Sequence, residues 1–208
     1  MIAAPNSSLL PVEWAVASRP LPGQNALGDG SLVKPGTDGM VFAVVDGLGH
    51  GAEAAKVTAT GLEVMGNDES MSVLTLVKLC NEALLQSRGL TISIASLDFN
   101  ADEMTWLAIG NVDALLLRAN PDKQPPMQNV LQRAGVVGYQ MPNLQTEALP
   151  ISPGDLLIFS TDGIRPGFIT SIVRKDPVAH IAHSILNNFF KGTDDALVLV
   201  ARYHGRKP

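Results

Sequence analysis

Met40–Val45, MVFAVV, is the stretch that most restricts how this chain can fold: six apolar residues with no polar break. A run that short and rich in branched side chains predicts a strand covered on both faces. It stops at an acid, Asp46, and three glycines follow closely, Gly47, Gly49 and Gly51. A carboxylate at the end of a buried strand is unfavourable unless its charge is compensated, and a metal cation is one partner that compensates it. The glycines leave room for backbone carbonyls to approach whatever Asp46 holds.

The rest of the chain sets bounds on what that strand belongs to. The 208 residues, 46% hydrophobic and 17% charged, predict one domain over residues 1–208 with its core at about 12–203. A net charge of −5 without any block of Lys or Arg speaks against nucleic acid and against an anionic membrane. The single cysteine, Cys80, leaves no internal disulfide and fits a reducing compartment. The start, MIAAPNSSLLPVEW, has no basic segment followed by a long apolar one, and nothing approaches the roughly 18 apolar residues of a membrane span. A soluble, cytoplasmic, monomeric protein is expected.

Periodicity divides the chain into elements. Val12–Ala17 predicts a first strand, and the Pro- and Gly-rich SRPLPGQNALGDG predicts a loop that carries Asp29. Lys34–Gly39 predicts a hairpin turn. Ala52, Ala55, Ala59 and Leu62 fall at helical spacing up to Gly66. Val73, Leu76, Val77, Cys80 and Leu84 define a second helix that stops at Gly89, which makes Cys80 a core residue. Thr91–Phe99 and Met104–Ile109 predict a hairpin, and Ala114–Arg118 a continuation of its sheet. Residues 119–129 read as a polar loop, and Val130–Glu147 is ambiguous. Leu156–Ser160 is a second buried strand, Pro177–Phe190 a helix and Ala196–Tyr203 a closing strand. Strands grouped in runs predict an α+β fold: two helices on a largely antiparallel sheet system, with late helical segments on another face.

Four turns place acids beside these apolar strands: Asp29, Asp46, Asp162 and the pair Asp194-Asp195. Between antiparallel neighbours the carboxyl end of one strand lies beside the amino end of the next. Asp46, Asp162 and Asp194/Asp195 can therefore meet on one edge. Such a cluster repels itself, and these motifs hold no Lys or Arg. Carboxylate, carbonyl and water oxygens suit Mn²⁺ or Mg²⁺, not zinc. Two ions sharing one carboxylate would lower the pKa of a shared water and hold a phosphoryl group for in-line attack. Taken singly, an Asp-Gly pair is more often an ordinary turn.

Other reactive side chains carry weaker signals. His50 between two glycines is a candidate proton donor or simply a residue that lines the start of a helix. His180, His183 and His204 read as surface residues. Ser93 and Ser160 lack a nucleophile-elbow context. Arg19 and Arg165 are candidate phosphate ligands, but such residues are more often solvated surface charge. Gly47-x-Gly49-x-x-Ala52, with Asp68 about twenty residues on, is similar to a dinucleotide fingerprint. Against it, Asp46 would repel a pyrophosphate, and no strand separates the helix from Asp68.

The acid-glycine turns, in this order and at these separations, resemble the metal-dependent PPM (type 2C) protein serine/threonine phosphatases, and DGLGHG resembles their bacterial SpoIIE-like branch. The likeness runs from about Val12 to Tyr203. Shorter matches, Arg88-Gly89 before Thr91, Ser93-Ile94 and Gly110-Asn111-Val112, point to that branch's small stressosome phosphatases. The resemblance implies a four-layer αββα sandwich with two mainly antiparallel sheets and a two-ion Mn²⁺ or Mg²⁺ site at one end. It gives Asp46 to both ions, Gly47 as a carbonyl ligand, and Asp162 and Asp194 to the second ion. Asp29 would orient attacking water.

The resemblance also marks departures. Asp195 stands where many relatives have Asn. Asn111 stands where many have a third-metal Asp. His50 lies two residues beyond the family's acid histidine, so that role is not transferred. No Arg precedes Asp29 at the spacing of the animal and plant phosphate clamp, which leaves phosphate binding to the metals. The implied substrates are phosphorylated STAS-domain proteins of a stressosome, in negative feedback on stress signalling. An alternative is a partner-switching phosphatase acting on a free anti-anti-sigma factor. Such relatives carry an amino-terminal sensor, for which the eleven residues before the first strand leave no room. A pseudophosphatase binding module would need a broken acid set, and here the acids are intact.

Overall fold

The computed structural model describes residues 11–206; most of the amino-terminal stretch read above for a leader lies outside the described residues. In chain order it comprises β1 (Val12–Arg19), β2 (Asp29–Pro35), β3 (Gly39–Gly47), α1 (Gly51–Asn67), α2 (Val73–Ala83) and β4 (Leu90–Asp98). Then follow β5 (Glu103–Ile109), β6 (Asp113–Leu117), β7 (Met127–Asn129), β8 (Gln132–Arg133), β9 (Glu147–Pro150), β10 (Leu156–Ser160), α3 (Val178–Phe189) and β11 (Ala196–Tyr203). No helix among the described residues is long and apolar enough to cross a membrane.

Two sheets form. One has the order β1-β11-β10-β6-β7, the other β2-β3-β4-β5-β8, with β9 also on β5. Every pairing is antiparallel except the short one between β5 and β8. The MVFAVV run explains why layers must lie on both sides. Met40, Phe42 and Val44 join the core between the two sheets. Val41, Ala43 and Val45 face the opposite way, into a core shared with α1 and α2. Each large side chain so buried contributes about 1.5–3 kcal/mol. A third core lies between the β1-β11-β10 side and α3. The layers therefore run helices, sheet, sheet, helix, the αββα arrangement expected.

Two readings are corrected. Ala114–Arg118 does not continue the hairpin's sheet. The chain turns at Gly110-Asn111-Val112, and β6 pairs with β10 in the other sheet. The uniform burial of Ala114–Leu117 looks the same in either sheet, so sequence pattern cannot distinguish them. Asp29 is not in a loop but opens β2, whose weakly patterned DGSLVKP is largely half-buried. The second helix starts where Ser72 caps it, accepting a hydrogen bond from the Thr75 N–H at 3.4 Å.

Candidate active site at the acidic end of the sandwich

Two antiparallel pairings bring the acids to one end. Asp46, the last acid of β3, lies directly opposite Asp29 at the start of β2. In the other sheet, Ser160 pairs with Val198, so Asp162 beyond β10 sits next to Asp194 and Asp195 ahead of β11. The contact is tight. A Cβ on Gly163 would lie 1.8 Å from the Asp195 carbonyl oxygen, and only glycine fits there. Gly47 is similarly enclosed: a Cβ would meet the Ala54 carbonyl at 2.5 Å.

This end is tied together by side chains of which sequence reading singled out only Asn111. The buried Thr161 hydroxyl donates to Asp29 Oδ2 at 2.7 Å and accepts from the Leu197 N–H at 2.9 Å. The Thr58 hydroxyl donates to the Gly28 carbonyl. Thr91 donates to Asn111 Oδ1 at 2.7 Å, which turns the Asn111 amide N–H toward Asp162 Oδ2 at 2.8 Å. The only sequence signal for Thr161 was its place between a buried strand and an Asp-Gly turn.

The acids divide by position. Asp46, Asp162 and Asp194 line a cleft of about 490 Å³ together with Gly49, His50 and Asn111. Asp29 and Asp195 are buried behind it, 5% and 3% exposed. Asp195 accepts from the Leu21 N–H at 2.7 Å and the Gly28 N–H at 2.6 Å. It holds the loop before β2. His50 is exposed at the start of α1, its Nδ1 2.8 Å from Gln24 Nε2.

The charges interact strongly. Burial, then the charges of Asp46, Asp195 and Asp162, push the Asp29 carboxyl from 3.8 up to about 8, with the Thr161 hydrogen bond opposing. Burial, then Asp162 and Asp194, push Asp46 up to about 7, with the Asn111 amide opposing. Lys191 Nζ donates to the Asp162 carbonyl. Arg19 donates to Asn187 at 2.8 Å and lies over the Phe190 ring, and Arg165 donates to the Asn188 carbonyl at 2.9 Å. Both are occupied at the end of α3.

Five carboxylates in each other's field, with hard oxygen donors and no thiol, fit a hard divalent ion. Among the described residues no three of them close into a ready-made cage. The grouping is one of a shared edge and a mutual field. Cys80 is in the helix-side core, its thiol pushed up to about 12 by burial.

The layering is that of solved PPM-type phosphatases. The family model of Stage II sporulation protein E (SpoIIE) matches residues 36–204, and the chain belongs to the SpoIIE family; it is a hydrolase of the phosphoprotein phosphatase class. Phosphoserine phosphatase RsbX of Bacillus subtilis (strain 168) is 27% identical over 164 residues, 78% of this chain and 80% of that protein. A chain solved in work on the bacterial stressosome as a modular system controlling secondary messenger signalling superposes with a TM-score of 0.83. It is 26% identical over 92% of this chain and 99% of its own. RsbX in complex with magnesium gives 0.81 at 23% identity, covering 92% of this chain and 94% of that one.

Proposed function

We propose that the chain is a Mn²⁺- or Mg²⁺-dependent phosphoserine/phosphothreonine phosphatase acting on phosphorylated STAS-domain proteins of a stressosome, and that it damps the stress signal. The observation that carries the chemistry is the gathering of Asp29, Asp46, Asp162 and Asp194 from both sheets onto one edge. The substrate class is supported by the likeness to RsbX and to the stressosome-associated chain.

In this reading Asp46, the Gly47 carbonyl, Asp162 and Asp194 would hold two ions. When bound, these supply Lewis acidity toward water and the phosphoryl oxygens. The protein's own groups prepare that role. Asp46 sits centrally at the end of β3, one residue before its last, with Asp29 across the ladder and Asp162 beyond Asn111. Asn111 donates without adding charge, so it orients Asp162 and eases Asp46 toward its ionised form. Thr161 fixes Asp29, which would orient the attacking water. His50 lies on the cleft wall and is given no proton to move.

The test is phosphate release from a phosphorylated STAS-domain protein with Mn²⁺, with Mg²⁺ and in excess chelator. Release with either metal and none in chelator is expected. Asp46→Asn should lower the rate by several orders of magnitude, because the central charge is lost while the shape is kept. Full activity in chelator would refute the mechanism. Release only from a free anti-anti-sigma factor would refute the substrate assignment.

A further inference from the structure

The chain has eight arginines. Seven donate at least one hydrogen bond; Arg88 is the exception among the described residues. Its side chain lies over the glycine turn of the cleft. Nη1 is 3.0 Å from where Gly49 would carry a Cβ, and no other atom beyond the neighbouring residues comes within 4 Å of that point. Gly49 itself lines the cleft.

The placement is built. Arg88 sits in the short connection between α2 and β4. The Gly89 N–H donates to Ser87 Oγ at 3.0 Å, and the Leu48 N–H donates to the Gly89 carbonyl at 3.1 Å. The backbone that carries the guanidinium is therefore bonded directly to the turn that follows Asp46. An exposed arginine with five free donors, on backbone anchored at the rim of a cleft walled by carboxylates, is not neutralising that wall: among the described residues no carboxylate lies within ion-pair distance of it. Its planar fork matches a phosphoryl group, which accepts two parallel N–H bonds. Lys191 is engaged with the Asp162 carbonyl.

We infer that Arg88 binds the phosphoryl oxygens of substrate and product, supplying from the α2–β4 connection the phosphate ligand that no arginine near Asp29 provides. The inference rests on the phosphatase reading, and its test separates the two. Binding of inorganic phosphate to the Mn²⁺-loaded protein is measured by calorimetry, beside hydrolysis of p-nitrophenyl phosphate and of a phosphopeptide.

Arg88→Ala should weaken phosphate binding about ten- to hundred-fold and raise KM for both substrates, with Mn²⁺ affinity and melting temperature unchanged. Arg88→Lys should recover part of the loss, since it keeps the charge without the fork. Phosphate affinity equal in wild type and Arg88→Ala, or absent in both, overturns the inference. So does a KM increase confined to the phosphopeptide, which would make Arg88 a reader of flanking acidic side chains. Arg88-dependent phosphate binding by a protein that hydrolyses no phosphoester would uphold the inference and remove the phosphatase reading.

Discussion

Adjacent aspartates play unlike parts at this end of the molecule. Asp194 faces the cleft, whereas Asp195 is buried and accepts from two backbone N–H groups of the loop before β2. Asp195→Ala leaves both donors without a partner, at about 1–3 kcal/mol each. Chemical denaturation should show a loss of that size, with faster amide exchange at Leu21 and Gly28. Unchanged exchange at those two positions would contradict the role. Residue type and spacing alone do not separate the two acids; only the resemblance did, by giving Asp194 and not Asp195 to an ion, and the Gly163 turn packs against the Asp195 carbonyl. Asp46 was legible for the opposite reason: it ends an unbroken apolar run, so its half-buried place at the end of that strand follows from the residues before it. Thr161 and Arg88 were not legible as site residues, since each depends on a partner from a distant element.

Between elements, the far end of the sandwich is tied by an ion pair. Arg118, just past β6, meets Asp155, just before β10, at 2.9 Å, with 3% and 2% of the two side chains exposed. Asp155 also accepts from the Ala119 and Ser152 N–H groups. Asp155→Ala strands a buried guanidinium and should cost about 3–5 kcal/mol in urea unfolding. A loss below about 1 kcal/mol, the size of an exposed pair, would count against it. Strands and helices with strong period were readable to within a few residues: β1, α1, β4, β5, β10, α3 and β11 lie where expected. The element whose pattern is weak, β2, and the change of sheet at β6 were not. A strand's alternation reports its faces, not its neighbours.

At the scale of the molecule, the gathered acids make stability depend on pH in a stated direction. Asp29 and Asp46 titrate from an ordinary 3.8 up to about 8 and about 7. Between those values the folded protein binds more protons than the unfolded chain, so stability falls as pH rises through the window. Without divalent ions the melting temperature should therefore drop from about pH 4.5 toward pH 8. Mn²⁺ should restore more at pH 8 than at pH 5, because protons compete for the same oxygens. A melting temperature that rises over this range without metal would reverse the sign and contradict the electrostatics.

The central claim is that acids carried by both sheets act as one cation-holding group. Calorimetric titration of Mn²⁺ into wild type, Asp46→Asn and Asp162→Asn tests it most directly. Wild type should bind, and each single substitution, one in either sheet, should weaken binding strongly while circular dichroism shows the fold retained. Equal Mn²⁺ affinity in wild type and Asp162→Asn would mean that the two sheets do not share a site.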